Sequence, residues 1–237
     1  TYKTYKLLTL FIVSTILISC GSKKPSNTES NTSTLEASHE NEEVLNSQVN
    51  FNINLNDRSN DTFKVNAKTP QLTSENKIFQ FASTAPGTYQ VMNIGRFVKE
   101  FKAFDKKGNE IPTTHITTNQ FEISQPEKVR SISYEISETY DTKVDKYPVY
   151  PMAGTSIEND HTLINGQAVF GYFTGLQGLS INISIEYPET WMAGTALKLN
   201  TDGTYTADNY DHVVDSPILL GNLTKASTDV EGTTVDI

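Results

Sequence analysis

Few side chains in this sequence have the types and spacing that hydrolytic chemistry needs. A zinc hydrolase often carries His-Glu-x-x-His on one helix, which places two imidazoles on the metal and a glutamate beside the zinc-bound water. The sequence has His39-Glu40, but Glu43 occupies the place of the second histidine. His161 and His212 lack a second His or Cys at ligand spacing, so we expect them at surface or turn positions. We therefore predict no metal site and no catalytic residue in this chain.

The single cysteine, Cys20, follows a segment with the features of an export signal. Two lysines precede an apolar run from Leu7 to Ile18, which is shorter than the roughly 20 residues that cross a bilayer. Leu17-Ile18-Ser19-Cys20 resembles the lipobox of bacterial lipoproteins; an ordinary secretory signal with a chance cysteine is the alternative. We expect residues 1–20 to be a lipoprotein signal peptide. Acyl chains on Cys20 would then anchor the exported protein to membrane lipid, on the periplasmic side or the cell surface.

The composition limits the partners of the chain. Residues 21–48 are rich in Ser, Thr, Asn and Glu, and such a segment buries too little apolar surface to offset the entropy of ordering it. We predict a flexible linker there. The formal net charge of −9 argues against nucleic acid as a partner, because phosphate binding needs a positive surface. One cysteine also excludes a disulfide framework.

Residues 49–237 have the period-two pattern of β-strands. In VNFNINLN, which begins at Val49, apolar residues alternate with Asn, as expected for a strand with one buried face. Turn signals such as Pro86-Gly87 and Asp105–Asn109 separate the segments. We predict an all-β, antiparallel β-sandwich-like domain without a helix longer than two turns. Further strands are expected at Lys77–Phe81, Thr88–Met92, Phe97–Phe104, Lys128–Ile136, Ala168–Phe173, Leu179–Tyr187, Ala196–Leu199 and Thr204–Ala207.

Two features allow more than one interpretation. Arg96, between Gly95 and Phe97, is interpreted as a structural arginine paired with a carboxylate near a strand start; contact with a neighbouring domain is the alternative. The aromatic residues of the second half are expected in the core and at sheet edges, with a ligand platform as the alternative. They are Tyr147, Tyr150, Phe170, Tyr172 and Phe173.

Several short motifs occur in a consistent order from about Val49 to the end of the sequence. They are Pro86-Gly87-Thr88-Tyr89, Gly95-Arg96-Phe97, Phe101-x-Ala103-Phe104-Asp105, Ala153-Gly154-Thr155-Ser156-Ile157-Glu158, Phe170-Gly171-Tyr172-Phe173, Pro188-x-x-Trp191 and Tyr210-Asp211-x-x-x-Asp215-Ser216-Pro217-Ile218. Together they resemble the N-terminal domain of the glycyl aminopeptidase family, family sixty-one of the metallopeptidases. Members of that family usually carry Trp two residues before the proline, where this sequence has Thr84.

The resemblance implies a role beside a catalytic domain. In the family, this β-rich domain precedes a zinc-binding domain with the His-Glu-x-x-His motif, which acts on peptides. We expect that domain and its zinc to lie beyond Ile237, with no cofactor in this chain and no hydrolysis by this chain alone. The segment from Thr84 to Pro112 would brace the sheet and narrow the cleft around the peptide. A truncated paralogue is one alternative, and a stand-alone surface lipoprotein that binds glycan or peptide is another.

The resemblance also suggests which residues meet a substrate. An aminopeptidase holds a free terminal ammonium group, and a partly buried carboxylate does so well. Glu158 is our candidate, aimed by a tight turn at Gly154; a solvated loop carboxylate is the alternative. For Asp215, before Ser216-Pro217, we expect a turn cap, with substrate contact as the alternative.

Overall fold

A computed structural model describes residues 47–236, and strands account for most of the regular structure in this range. The strands are β1 Gln48–Asn54, β2 Thr62–Lys68, β3 Ile78–Gln80, β4 Val98–Asp105, β5 Glu110–Ile111, β6 Thr113–Thr117, β7 Gln120–Ile123, β8 Val129–Ser137, β9 Ser156–Ile157, β10 His161–Ile164, β11 Tyr172–Phe173, β12 Ser180–Glu186, β13 Met192–Thr195, β14 Lys198–Leu199, β15 Tyr205–Ala207, β16 Ile218–Gly221, β17 Ser227–Val230 and β18 Thr233–Asp236.

Helical structure in the described range is short. The α-helix α1 spans Tyr210–Val214, and single 3-10 turns occur at Ser59–Asp61, Ser74–Asn76, Ile94–Phe97, Pro126–Lys128, Pro151–Ala153 and Gly166–Ala168. No helix among residues 47–236 has the length and apolar character needed to cross a membrane. The prediction of an all-β domain is confirmed.

The strands form one large sheet and three smaller ones. The eight-stranded sheet has the order β14-β15-β12-β1-β2-β8-β4-β5, and two four-stranded sheets have the orders β13-β16-β10-β9 and β11-β3-β7-β6. The hairpin β17-β18 forms the fourth sheet. The pairings are antiparallel except that of β1 with β12, which is parallel and joins Phe51 to Ile183 in register.

The predicted alternation explains how the large sheet meets the core. In β1, Val49, Phe51 and Ile53 are buried on one face, while Asn50 and Asn52 lie on the other. Because successive strand side chains point to opposite faces, one face of the sheet is apolar and the other is polar.

Aromatic rings join the large sheet to a smaller one. The ring of Phe79 on β3 lies 5.3 Å from that of Phe101 on β4 and 5.9 Å from that of Tyr134 on β8, measured between centroids. Phe173 on β11 packs edge-on against Phe79 at 5.0 Å. Such pairs add about 0.5–1.5 kcal/mol beyond area burial, so this cluster fixes the two sheets as layers of one sandwich.

Two of the predicted turns are confirmed. Ala85–Thr88 closes through a hydrogen bond from the Thr88 N–H to the Ala85 carbonyl (3.2 Å), and Gly87 has the positive φ of 77° that a type II turn needs. The hairpin between β4 and β5 turns at Gly108, whose φ is 80°. The Asp105 carboxylate accepts from the backbone N–H groups of Lys107 and Asn109 at this turn.

Two predicted strands are wrong. Thr88–Met92 is a loop, because Tyr89 has a φ of 52° and the Met92 N–H bonds back to the Ser83 carbonyl (2.7 Å) rather than to a neighbouring strand. In Ala168–Phe173, only Tyr172–Phe173 is a strand. The preceding residues form a turn in which the Phe170 N–H donates to the Gly166 carbonyl (2.9 Å).

Candidate functional site

Glu158, the predicted substrate-binding carboxylate, lies in the turn between β9 and β10 and is half-buried. Its backbone N–H donates to the His161 carbonyl at 2.8 Å. Gly154 does not make the expected tight turn, since its φ of −102° is open to any residue. A Cβ at Gly154 would instead lie 2.2 Å from Oγ1 of Thr139, so glycine is needed for a close approach. Ammonium binding by Glu158 stays a prediction.

Within residues 47–236, His161 and His212 belong to no group of side chains that could bind a metal ion. His161 places Nδ1 2.8 Å from a carboxylate oxygen of Asp160, and Nδ1 of His212 accepts a hydrogen bond from the Asp208 N–H at 3.1 Å. Among residues 47–236, no group of three His, Cys, Asp or Glu side chains is arranged to bind a metal ion. Cys20 and the predicted linker residues up to position 46 lie outside the described residues.

Asp215 ends α1. Its backbone N–H donates to the Asp211 carbonyl at 2.9 Å, and the Ser216 N–H donates to the Val213 carbonyl at 3.3 Å. Backbone groups therefore close this turn, in place of the predicted side-chain cap. The exposed Asp215 side chain lies just before the buried residue Ser216.

The most unusual local structure is a long loop from residue 139 to residue 155 whose ends are held together. The Thr155 N–H donates to Oγ1 of Thr139 at 2.8 Å, and the Thr139 N–H donates to the Thr155 carbonyl at 3.1 Å. The Asn165 side-chain amide donates to the Gly154 carbonyl at 2.6 Å at the same end. The loop is similar to an Ω-loop, a compact loop of about 6–16 residues with adjacent ends, and such loops are frequently functional. We call residues 139–155 the second loop, because another loop, described next, precedes it in the sequence.

A first loop, residues 84–93, lies against the second. The side-chain amide of Gln90 bridges the two: its nitrogen donates to the Pro148 carbonyl at 2.5 Å, and its oxygen accepts from the Tyr150 N–H at 3.0 Å. One glutamine thus satisfies two backbone groups of a neighbouring loop, as a strand partner would. The two loops are fixed side by side although about 60 residues separate them in sequence.

Arg96 also holds the second loop. Its guanidinium donates to the Lys146 carbonyl at 2.9 Å and to the Tyr147 carbonyl at 2.5 Å, and it lies over the ring of Phe97 at 4.9 Å from the centroid. The predicted carboxylate partner is replaced by backbone carbonyls. Partial burial lowers the pKa of Arg96, but an arginine stays charged at any physiological pH.

Glu138 holds the start of the second loop and is a residue that the sequence reasoning missed. Its side chain is almost fully buried, and its carboxylate accepts from the backbone N–H groups of Tyr140 (2.6 Å), Asp141 (3.1 Å) and Thr142 (2.9 Å). Burial raises the pKa of Glu138, and the Asp141 carboxyl raises it further, while the backbone hydrogen bonds act in the opposite direction.

The two loops present apolar side chains to solvent. The exposed fractions are 94% for Tyr89, 61% for Val91, 74% for Tyr147, 50% for Tyr150 and 75% for Met152. Tyr89 and Val91 are the sequence neighbours of the bridging Gln90. On the second loop, Tyr150 donates its N–H to Gln90, and Tyr147 precedes Pro148, whose carbonyl accepts from Gln90. We call these five side chains the paired-loop surface.

The backbone beneath two of these rings is strained. Tyr89 has a φ of 52° and Tyr147 a φ of 56°, in the left-handed region that glycine or asparagine adopts more easily. Tyr147 and Tyr150, predicted for the core or the sheet edge, are therefore exposed loop residues, whereas Phe170 and Phe173 are buried as predicted.

A shallow polar cleft of about 580 Å³ opens on the polar face of the large sheet. Amide and hydroxyl side chains line it, among them Asn50, Asn66 and Asn182. The side-chain nitrogen of Asn50 and the side-chain oxygen of Asn182 are buried there without a hydrogen-bond partner within the protein. Water or a polar ligand could satisfy both amide groups, and neither amide is itself a nucleophile, acid or base.

Comparison with known proteins identifies the type of domain. The protein-family model of the Peptidase M61 N-terminal domain matches residues 50–222 of the sequence. A search of curated protein sequences gives no match. Among solved structures, an aminopeptidase N family protein from Idiomarina loihiensis aligns with a TM-score of 0.69 at 17% identity, over 79% of this chain and 32% of that one.

A second solved structure aligns less closely. A variant of the M1 zinc metallopeptidase from Deinococcus radiodurans, bound to a Tyr-Ser-Ala substrate, gives a TM-score of 0.41 at 9% identity, over 80% of this chain and 46% of that one. The similarity to the Idiomarina protein shows a shared fold. The present chain spans about a third of the length of that protein.

Proposed function

Because the chain belongs to the M61 peptidase family through its N-terminal domain, we propose that it is the non-catalytic β-domain of a membrane-anchored zinc aminopeptidase. In this role it supports a catalytic domain and shapes the cleft that receives the amino end of a peptide. The observation that carries the proposal is the family match over residues 50–222, on a domain whose described residues hold no cluster suited to a metal ion.

The zinc of such a peptidase does not fit the described residues. His161 and His212 lie next to Asp160 and Asp208, and neither pair has a third ligand. Tetrahedral zinc sites use three or four protein ligands. The metal would therefore be bound by residues outside 47–236, and the role of this domain is structural support and substrate positioning.

The coding region after the codon for Ile237 tests this function directly. An open reading frame that encodes His-Glu-x-x-His, and a full-length product that cleaves alanyl or glycyl anilides only with zinc, would support it. A stop codon at that point would refute it and would favour a stand-alone lipoprotein. Zinc-dependent cleavage by residues 21–237 alone would also refute it, because the proposal assigns the metal to another part of the protein.

Membrane attachment through Cys20 is the second part of the proposal. The lipobox-like sequence before Cys20 supports it, and residues 21–48 would be the spacer between lipid and domain. We expect the wild type, but not Cys20→Ser, to incorporate labelled palmitate and to sediment with membranes. Labelling of the Cys20→Ser protein, or its continued membrane association, would contradict the lipid anchor.

Recognition of the peptide ammonium group by Glu158 is the third part. The half-buried side chain lies in a turn whose backbone is fixed on both sides: the Glu158 N–H donates to the His161 carbonyl, and the Asn222 N–H donates to the Asp160 carbonyl at 3.2 Å. A side chain on a fixed backbone loses less conformational entropy when it binds a cation than a side chain on a mobile loop. In the full-length enzyme, Glu158→Gln should raise KM for short peptides, whereas the exposed turn control Glu189→Gln should not. An unchanged KM would remove Glu158 from the site.

A further inference from the structure

We propose that the paired-loop surface is the face on which this domain binds the catalytic domain of the same polypeptide. The inference rests on the proposed function, since it requires a catalytic domain, but it specifies a contact that the family match does not. The surface consists of Tyr89, Val91, Tyr147, Tyr150 and Met152.

The first argument is exposure. Large apolar side chains on the surface of a monomeric protein are usually scattered, and a cluster of them marks an interaction site. Here six such side chains lie on the two loops: the five of the paired-loop surface and Tyr140, which is 63% exposed at the base of the second loop. The two loops touch through Gln90. Tyrosine is also the residue type most often found, with Trp and Arg, at the energetic centre of interfaces.

The second argument is backbone strain. A non-glycine residue in the left-handed region costs about 1–2 kcal/mol, and Tyr89 and Tyr147 both lie in that region. A strained backbone persists where the surrounding structure determines it, and such residues cluster at binding sites. In the isolated domain, the two strained residues leave their side chains 94% and 74% exposed to solvent. A partner surface would give these rings a contact.

The third argument is rigidity. Glu138, Thr139 and Thr155 fix the base of the second loop. Gln90 of the first loop holds Tyr150, and Arg96, which follows the first loop in sequence, holds Tyr147. Loops that are ordered before binding lose less conformational entropy when a partner arrives. The surface is thus preorganised although it consists of loops.

The size of the surface favours a covalently linked partner. From the exposed fractions, and at 150–250 Å² for a whole aromatic side chain, the five side chains offer roughly 650 Å². A stable complex of separate molecules usually buries about 800 Å² on each partner. A domain in the same polypeptide has a high effective concentration and needs less contact area. The Idiomarina protein is about three times as long as its aligned part, which leaves room in that protein for a further domain.

Site-specific crosslinking in the full-length protein tests the inference. We would place p-benzoylphenylalanine at position 147 and, in a control, at Leu199, which is 61% exposed but lies outside both loops. Illumination should join position 147 to peptides that follow Ile237 in the same polypeptide, without a change in molecular mass. Position 199 should give no such product. A dimer-sized product from position 147, or crosslinks confined to residues 47–236, would overturn the proposal.

A second variant separates docking from folding. The double variant carries Tyr89→Asn and Tyr147→Asn. It lacks both rings, and asparagine tolerates the left-handed backbone at both positions. With the photo-crosslinker at position 152, this variant should reduce the interdomain product about tenfold or more, because each interface tyrosine contributes strongly. Leu199→Asn should leave the yield unchanged. An unchanged yield in the double variant would refute the inference, whereas a stop codon after Ile237 would refute the proposed function itself.

Discussion

The buried carboxylate of Glu138 gives the sharpest test of how the second loop is held. Glu138→Ala removes the acceptor for the N–H groups of Tyr140, Asp141 and Thr142 and for the Thr142 hydroxyl. An unsatisfied buried donor costs about 1–3 kcal/mol. Tyr140 and Asp141 are exposed residues, so water will replace part of what is lost there. We therefore expect the free energy of unfolding to fall by about 2–4 kcal/mol.

Glu138→Gln separates the hydrogen bonds from the charge. Its amide oxygen can keep the three bonds that Oε1 accepts from Asp141 and Thr142, but its NH₂ group then faces the Tyr140 N–H, which is a second donor. We expect a smaller loss, about 1–2 kcal/mol. Urea unfolding at several pH values would measure both variants against the wild type.

The difference in unfolding free energy between the wild type and Glu138→Gln, measured as a function of pH, tests the direction of the pKa shift of Glu138. Because burial raises the pKa of Glu138, the native state binds the proton more tightly than the unfolded state between the ordinary and the raised pKa. The stability contributed by Glu138 is therefore greatest at low pH and declines as pH rises through this window. Glutamine does not titrate, so the advantage of the wild type over Glu138→Gln should shrink as pH rises. An advantage that grows with pH would show that the backbone N–H groups outweigh burial and would refute the reasoning.

Three further substitutions test the framework around the loops. Gly95→Ala should destabilise the protein by about 3 kcal/mol, because a Cβ there would lie 2.1 Å from the Thr118 carbonyl oxygen. The control Gly178→Ala, whose Cβ would meet open space, should change stability by less than about 0.5 kcal/mol. Arg96→Ala should cost about 1–2 kcal/mol through two lost hydrogen bonds at a partly exposed site, and an unchanged melting temperature would show that Arg96 does not hold the second loop. Hydrogen bonds from Asn109 and Lys107 lower the pKa of Asp105. The ionised Asp105 carboxylate therefore stabilises the protein near neutral pH, and this effect is lost as pH falls through the lowered pKa. Asp105→Asn should lower the melting temperature near neutral pH but not in strong acid.

The strands of the large sheet could be predicted because each shows its burial directly in the sequence. β1, β8 and β12 bury alternate residues, so the period-two pattern and the final structure have the same physical cause. The turns at Gly87 and Gly108 could be predicted because a positive φ there favours glycine. β2 has the same alternation and was missed, although its pattern was present in the sequence.

The order of the strands could not be predicted in the same way. β1 and β12 pair in parallel across about 130 residues of sequence, and local patterns do not specify which strands become neighbours. Thr88–Met92 has strand-like residues, but its backbone N–H groups bond to the nearby carbonyls of Ala85 and Ser83, and its Gln90 side chain bonds to the second loop. Distant contacts overrode local propensity at this segment.

The sequence predicts the candidate site only in part. Glu158 lies in a turn, but the turn joins β9 to β10 and is not the predicted one at Gly154; its contact with substrate stays a prediction. The exposure of Tyr147 and Tyr150 was not foreseen, because aromatic residues in an all-β domain usually fill the core. A signal was present: Tyr147-Pro148 and Tyr150-Pro151 place tyrosines before prolines, which favours irregular backbone over a strand in a sheet interior.

The positions of the strained residues connect stability to function in this domain. Two tyrosines at positive φ cost about 2–4 kcal/mol together, which is a considerable part of the 5–15 kcal/mol that a folded domain typically has. The buried sandwich core can carry this loss, because the strain lies in loops outside the sheets. The strain does not improve packing within the domain, since both rings face solvent. In our proposal a partner surface supplies the energetic return for this arrangement, and for that reason we assign the paired-loop surface to domain docking rather than to the stability of the sandwich.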